Sequence, residues 1–436
     1  MQSIWENISM PQFPALSENI ECEVLVIGGG ITGLLTAYKL KQAGIRCVVA
    51  EAATIASGIT KNTTAKITAQ HGILYHKIAQ DLGEDAAHAY YAANQEAVQN
   101  YRMLCKDIDC DFTICDAYVY AENDPRILEC ELRVLDKIGA PAEFTEKTEL
   151  PFSVCGAIRL PDQASFHPLK FLAAIAKDLP IYEHSSVQKL AGNVAYTEHG
   201  SIRADKVIVT THFPFINRHG LYFLKLYQSR SYVLALQGAE TLDGMYIDGE
   251  NGSLSFRSAQ DTLLIGCGNH RTGKRNSGWT EAEVVLRRYY PHAKITHRWA
   301  TQDCMTPDGI PYIGQYAKTT PDLFVATGFN KWGMSTAMVA ANLLTDLIRE
   351  KENRFAPLFS PSRSMLKPQL AANAWESATN LLRLSRPRCP HLGCALRWNK
   401  RERTWDCPCH GSRFTEHGEL IDNPAHKGLR KPPKKP

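Results

Sequence analysis

The segment with the strongest hold on how this chain can fold is Gly28-Gly29-Gly30-Ile31-Thr32-Gly33. The residues before it, Glu-Val-Leu-Val-Ile-Gly at 23–28, read as a short strand buried on both faces. Those after it place Leu34, Leu35, Ala37 and Leu40 on one helical face, closed near Gly44, and Arg46–Ala50 reads as a second strand ending at Glu51. In such a β-α-β unit Gly28 makes the tight turn, Gly30 lets a pyrophosphate approach the backbone, and Gly33 permits close helix–strand packing. The pyrophosphate rests on the helix N-terminus through Gly30, Ile31 and Thr32, where free N–H groups and the helix dipole favour an anion. Glu51 is then placed to accept hydrogen bonds from ribose hydroxyls. A tight turn without a ligand is the blander reading, and the strand, helix and acid in register argue against it.

With 436 residues the chain has room for two or three domains. Tyr75 to about Cys105 shows helical spacing through Ile78, Leu82, Ala86, Tyr90, Ala93, Ala97, Tyr101 and Leu104. Between Phe112 and Phe256 the runs shorten and read as strands, with a helix at Leu169–Ala176. Lys206–Thr210 and Leu323–Ala326 read as buried strands, and a small-residue helix follows from about Trp332 to Arg349. A formal charge of +4 is too small to argue for nucleic acid. No apolar run is long enough to span a bilayer, and Met1–Glu21 lacks the pattern of a secretory signal, so a cytoplasmic location is the expectation.

Nine of the thirteen cysteines are scattered from Cys22 to Cys304 and read as reduced thiols. The other four lie together, in Cys389-Pro390-His391-Leu392-Gly393-Cys394 and Cys407-Pro408-Cys409-His410-Gly411-Ser412. Two Cys and two His can close a zinc tetrahedron, but the C-x-H step and the matched Pro and Gly positions speak for a different centre. The pattern C-x-H-x15-C-x2-H, with a hairpin bearing Trp398 and Trp405 between the loops, resembles the Rieske [2Fe–2S] family. That resemblance implies that Cys389 and Cys407 bind one iron and His391 and His410 the other, which raises the reduction potential. It also implies a disulfide between Cys394 and Cys409, and a base of several strands ahead of the first ligand loop. Here Ala371–Leu384 reads as helix, so the domain is abbreviated and its loops are expected to lean on the preceding domain or on a partner chain.

Thr306–Gly314, Leu323–Gly328 and Phe329–Ser335 resemble the second flavin segment of the D-amino-acid/glycine oxidase family, and Gly58–Gln70 stands where that family wraps a loop under the flavin ring. The resemblance implies a Rossmann-like α/β FAD domain interleaved with an α+β substrate domain built on an antiparallel sheet, followed by the small all-β Rieske-type domain. The flavin-contacting positions of that family fall on Asn62, Thr63, Thr64 and Ala65, on Gly328, Trp332, Gly333, Met334 and Ser335, and on Val187 beside the adenine. The expected division is an oxidoreductase over 1–350, with FAD parts at 20–74, 155–225 and 300–350 and substrate parts at 75–154 and 226–299. A linker and docking helix over 351–384 and the Rieske domain with a basic tail over 385–436 complete it.

The expected enzyme oxidises a C–N bond of an amine or amino-acid-like substrate and needs no catalytic triad, so no catalytic residue is singled out. Family members usually carry an arginine that forks onto the substrate carboxylate; here Asp303 takes that position, within Thr301–Cys304. Cys304 lies close in alignment to a cysteine that carries flavin covalently in sarcosine oxidases. Arg257, Arg271 and Tyr232 read as structural residues or substrate contacts, and Lys66, His71 and Lys331 as cations on loops near the flavin. Electrons would pass one at a time to the Rieske cluster and on to an unidentified acceptor. The alternatives are a tail that senses redox state or docks on an oxidase using O2, and a Rieske oxygenase with iron on His292 and His297, which lack a neighbouring carboxylate.

Overall fold

The computed structural model describes residues 2–364, 368–383 and 387–430. The apolar run before the glycine turn forms the strand Ile20–Ile27, whose last four residues are fully covered. It lies between Ser201–Val209 and Cys47–Ala50, parallel to both, in an eight-stranded sheet. Leu323–Thr327 extends the parallel set. Helices Ile31–Gln42 and Gly333–Ile348 pack on this sheet and on each other, as their small and apolar residues allow. Gly33 is what lets the first helix approach: a Cβ there would stand 1.8 Å from the Gly28 carbonyl oxygen.

A second sheet of nine strands carries Tyr227–Gln237 between Thr262–Arg271 and Lys294–Met305, all antiparallel. It takes in Gly156–Ser165 and the two-residue strand Lys66–Ile67 as well. The division expected from sequence therefore shifts: 156–165 belongs to this sheet rather than to the FAD part, and the strand beginning at Lys294 runs on to Met305. An alternating apolar run announces a strand, but its pairing partner is chosen by contacts far along the chain. The expected single helix over 75–105 is two, Tyr75–Leu82 and Glu84–Leu104. Gly83 stands between them at φ +92°, outside the helical region.

The tail folds as the helix Pro368–Leu381 and a four-stranded sheet of Arg397–Asn399, Thr404–Asp406, Arg413–Thr415 and Leu420–Asp422. Leu384, the boundary at 384–385 and the end of the basic tail beyond Arg430 lie outside the described residues. Among the described residues no strands stand between that helix and the first ligand loop apart from a single bridge, Arg388 to Ala395. The body of the protein supplies the missing support. Arg230, on the strand Tyr227–Gln237, pairs with Glu402 of the tail, and both side chains are only 4% exposed. Glu402 also receives Arg413 Nη2 at 2.8 Å, and Arg413 reaches Asp406 at 3.1 Å and Asp422 at 3.0 Å. Two buried cations among three carboxylates leave little uncompensated charge. The docking is close as well as charged, since a Cβ on Gly273 would lie 2.8 Å from the Pro408 backbone.

Burial opposes ionisation of Glu402, yet the Arg230 and Arg413 charges outweigh it and hold the carboxyl at about 2. Its folded value lies below the unfolded one of 4.5, so its contribution is complete above pH 4.5 and is lost as pH falls towards 2. Glu402→Leu leaves two guanidinium groups short of a partner and is expected to destabilise the docked tail by about 3–5 kcal/mol. Urea unfolding followed by protease sensitivity of the tail measures this, and a cost within ±0.5 kcal/mol, as for an ordinary surface site, would exclude the network as the anchor.

Candidate cofactor sites

The carboxyl ends of the parallel strands open on a chamber of about 840 Å³. One end is walled by Gly28, Gly30, Ile31 and Thr32, with Glu51 at the end of its strand. Glu51 is already engaged, accepting from Gly29 N–H at 2.6 Å and Ala53 N–H at 2.8 Å. Thr60 Oγ1 accepts from Ile31 N–H at 3.1 Å and so fixes the loop against the helix start. Val187 lies on the adjoining wall.

The other end is framed by Thr63 and Thr64 on one side and Gly328, Trp332, Gly333 and Met334 on the other. The helix Gly333–Ile348 starts at this wall, directing its N-terminal N–H groups and dipole into the chamber. The turn that aims it holds Asn330 and Lys331 at positive φ. Asn330 locks that turn, accepting from Thr306 N–H at 2.8 Å and donating to Gly328 O at 2.7 Å.

Gly33 is taken up by helix–strand packing, as expected of the third glycine of the turn. Three residues expected at the flavin, Asn62, Ala65 and Ser335, are not part of the chamber lining. The Asn62 side-chain amide donates to Gly58 O, and the Asn62 backbone carbonyl accepts from Trp299 Nε1. Ala65 is fully buried and, with Thr64, gives its carbonyl to Arg257 at 2.8 Å. Ser335 meets His71 Nε2 at 3.0 Å. Arg257 is therefore a brace for the loop at Thr64 and Ala65, and His71, pushed down to about 3 by burial, is a neutral spacer between Tyr90 and Trp332.

Asp303, Lys331, Lys66 and Cys304 line the chamber, and so does His71. Burial raises the Asp303 carboxyl, and Lys331, His212 and Arg230 pull it back. Lys331 donates to Ser231 Oγ at 3.0 Å and is lowered by burial to about 8. Burial pushes the Cys304 thiol up to about 12, so it is protonated at neutral pH. Arg271 belongs to the tail contact, donating to the Pro408 and Cys409 carbonyls. Tyr232 lines the chamber, its hydroxyl on Glu402 at 3.1 Å. His212 was absent from the sequence expectations. It lies just past the strand Ser201–Val209, at positive φ, and its place beyond the carboxyl end of a parallel strand was the available signal.

In the tail, the imidazoles of His391 and His410 lie 5.0 Å apart and perpendicular. His410 Nε2 donates to Phe223 O at 2.9 Å, which leaves Nδ1 as the lone-pair nitrogen. His391 Nε2 meets the Asn217 amide. Both Nδ1 atoms are buried with no hydrogen-bond partner, which is what a ligand atom looks like when its metal is removed. Burial lowers His391 to about 4 and His410 to about 3, keeping both neutral as ligation requires. Cys389 and Cys407 are free and buried, and Cys394 is joined to Cys409. The sulfurs of Cys394, Cys407 and Cys409 lie within 4.8 Å of one another, but two of these form the disulfide and are spent as ligands. This donor set fits a [2Fe–2S] cluster. Among the described residues His292 and His297 join no carboxylate in a metal-like group; both are on the surface.

Residues 23–347 match the model of the family described as FAD dependent oxidoreductase, and residues 374–433 that of the Rieske [2Fe-2S] domain. YhfW of Bacillus subtilis (strain 168), whose name describes a Rieske 2Fe-2S iron-sulfur protein, is 34% identical, covering 98% of this chain and 97% of its own length. Gamma-glutamylputrescine oxidoreductase of Escherichia coli (strain K12) is 25% identical over 79% of this chain and 87% of its own. The crystal structure of glycine oxidase from Geobacillus kaustophilus superposes with a TM-score of 0.66, at 20% identity, over 79% of this chain and 99% of that one. The protein accordingly carries FAD and a [2Fe–2S] cluster.

His410→Ala removes one of the two unpartnered Nδ1 atoms and is expected to abolish the iron content and the rhombic EPR signal of the reduced protein. Metal analysis finding stoichiometric zinc in the unaltered protein would overturn the iron assignment.

Proposed function

Because the chain belongs to the FAD dependent oxidoreductase family and carries a Rieske domain behind it, we propose that it oxidises a C–N bond of an amine or amino-acid-like substrate and delivers the electrons to the cluster. Bound FAD supplies the two-electron acceptor, and the cluster a high-potential one-electron outlet. The protein's own part is to hold, orient and bias. The helix start at Ile31 and the Glu51 carboxylate would hold the pyrophosphate and ribose. Thr63, Thr64, Gly328, Trp332 and Met334 would flank the ring, with Val187 beside the adenine. The N-terminus at Gly333 would favour the negative charge gained on reduction. Gly33, Asn62, Ala65 and Ser335 would shape this site from behind.

The chamber also offers a substrate both signs of charge. Asp303 would face an ammonium group and Lys331 a carboxylate, which suits a zwitterion or an amine better than an anion alone. One observation carries the electron route: the cluster loop is hydrogen bonded to the strand whose residues wall the chamber. Gln228 on that strand donates to His410 O at 3.1 Å, while its Oε1 lies 3.2 Å from His212 Nε2 at the chamber. The joined Cys394 and Cys409 favour a second reading, in which the tail is a redox-sensing module on an oxidase that uses O2.

Anaerobic mixing with substrate separates the two. With FAD held saturating, Cys407→Ser is expected to leave flavin bleaching intact and slow its re-oxidation by a one-electron acceptor; unchanged re-oxidation would favour the sensing tail. Asp303→Asn is expected to lower kcat/KM for amines by about 10- to 100-fold, the loss of a charge-assisted contact. An unchanged value would remove Asp303 from substrate recognition.

A further inference from the structure

The chamber is not walled by the flavin domain alone. Leu420, Ile421, Asp422, Asn423, Ala425 and His426 of the tail line it too. This strip is fastened to the strand end that backs the dinucleotide turn. Asn423 Nδ2 donates to Thr211 O at 2.5 Å, and His426 packs edge-on against Phe215 at 5.2 Å. The neighbouring Thr210 donates through Oγ1 to the Gly28 carbonyl at 3.1 Å. A continuous run of contacts thus joins the tail to the turn on which the pyrophosphate would rest.

The same strip is tied to the metal-binding loop. Ser412 accepts from Cys407 N–H through its carbonyl at 2.8 Å, and its Oγ accepts from Ala425 N–H at 3.0 Å. Gln228, 1% exposed, donates to both His410 O and Asn423 O. The loop that the cluster orders and the wall that the flavin meets therefore share their supports. Metal binding stabilises the conformation that holds its ligands, and whatever stabilises this one stabilises the wall.

We propose that the Rieske domain is a structural wall of the FAD chamber, so that cluster loading and FAD binding strengthen one another. Linkage makes the effect reciprocal: the factor by which the cluster tightens FAD is the factor by which FAD tightens the cluster. The proposal does not depend on electron transfer between the two centres.

The test uses the full chain. The FAD dissociation constant is measured by fluorescence on the cluster-loaded protein and on the same protein stripped of iron by a chelator under reducing conditions. Iron loss is expected to weaken FAD by at least about fivefold, the low end of ordinary coupling, and saturating FAD to slow chelation of iron. Gln228→Ala, which keeps all four ligands, is expected to remove most of that coupling. Equal FAD constants with and without iron, in protein that remains folded by circular dichroism, overturn the proposal. Should the stripped chain unfold, Gly273→Ala decides: its Cβ displaces the Pro408 backbone while every ligand remains. With the cluster loaded it is expected to raise the FAD constant, and an unchanged constant overturns the proposal. Flavin re-oxidation kinetics test the electron route separately, so either can fail alone.

Discussion

The arrangement of both redox sites depends on one buried charge cluster, in which Arg230 of the flavin-bearing part and Arg413 of the tail share Glu402. Its geometry is what makes it an anchor. A pair of exposed charges contributes little, because water and salt compete for both partners. These side chains are almost wholly covered, and Asp406 and Asp422 complete the neutralisation of Arg413. Separating the tail would leave two guanidinium groups and their carboxylates without these partners, so the docked state is strongly specified.

That anchor explains how so short a tail holds four ligand residues. The two loops are supported from outside: Phe223 and Asn217 orient the histidines, Gln302 and Gln228 bind the loop carbonyls, and Arg271 caps those of Pro408 and Cys409. The polar residues of the strand Tyr227–Gln237 and its neighbours thereby form a receptor for the tail. Outer partners that fix imidazole orientation tune a metal site as much as its ligands do. In this protein they come from a different domain, which makes the cluster and the flavin chamber one construction.

The local chemistry of both sites was legible in sequence because it is carried by short segments. The glycine turn, Glu51, the helix at Gly333 and the Cys/His loops each act through backbone conformation or adjacent ligands, so their spacing alone is enough to propose them. What was misread lies one layer further out. Asn62, Ala65 and Ser335 are neighbours of lining residues, and whether a side chain faces the chamber or its backing depends on a rotation of the backbone that spacing does not encode. The strand-like runs between Phe112 and Phe256 did not reveal which sheet Gly156–Ser165 joins, because pairing is decided by partners such as Thr113–Ala121 far along the chain.

The sequence by itself determined the two binding chemistries: an anion-binding turn ahead of a helix, and two thiol–imidazole loops with a fixed spacing. Only the tertiary structure decided how they meet. His212, Gln228, Asn423 and His426 belong to no motif; Gln228 meets His212 at a separation of 16 positions, while the contacts of Asn423 and His426 reach residues about two hundred positions away. Such contacts arise from the docking of whole surfaces, and no local pattern of residues carries them.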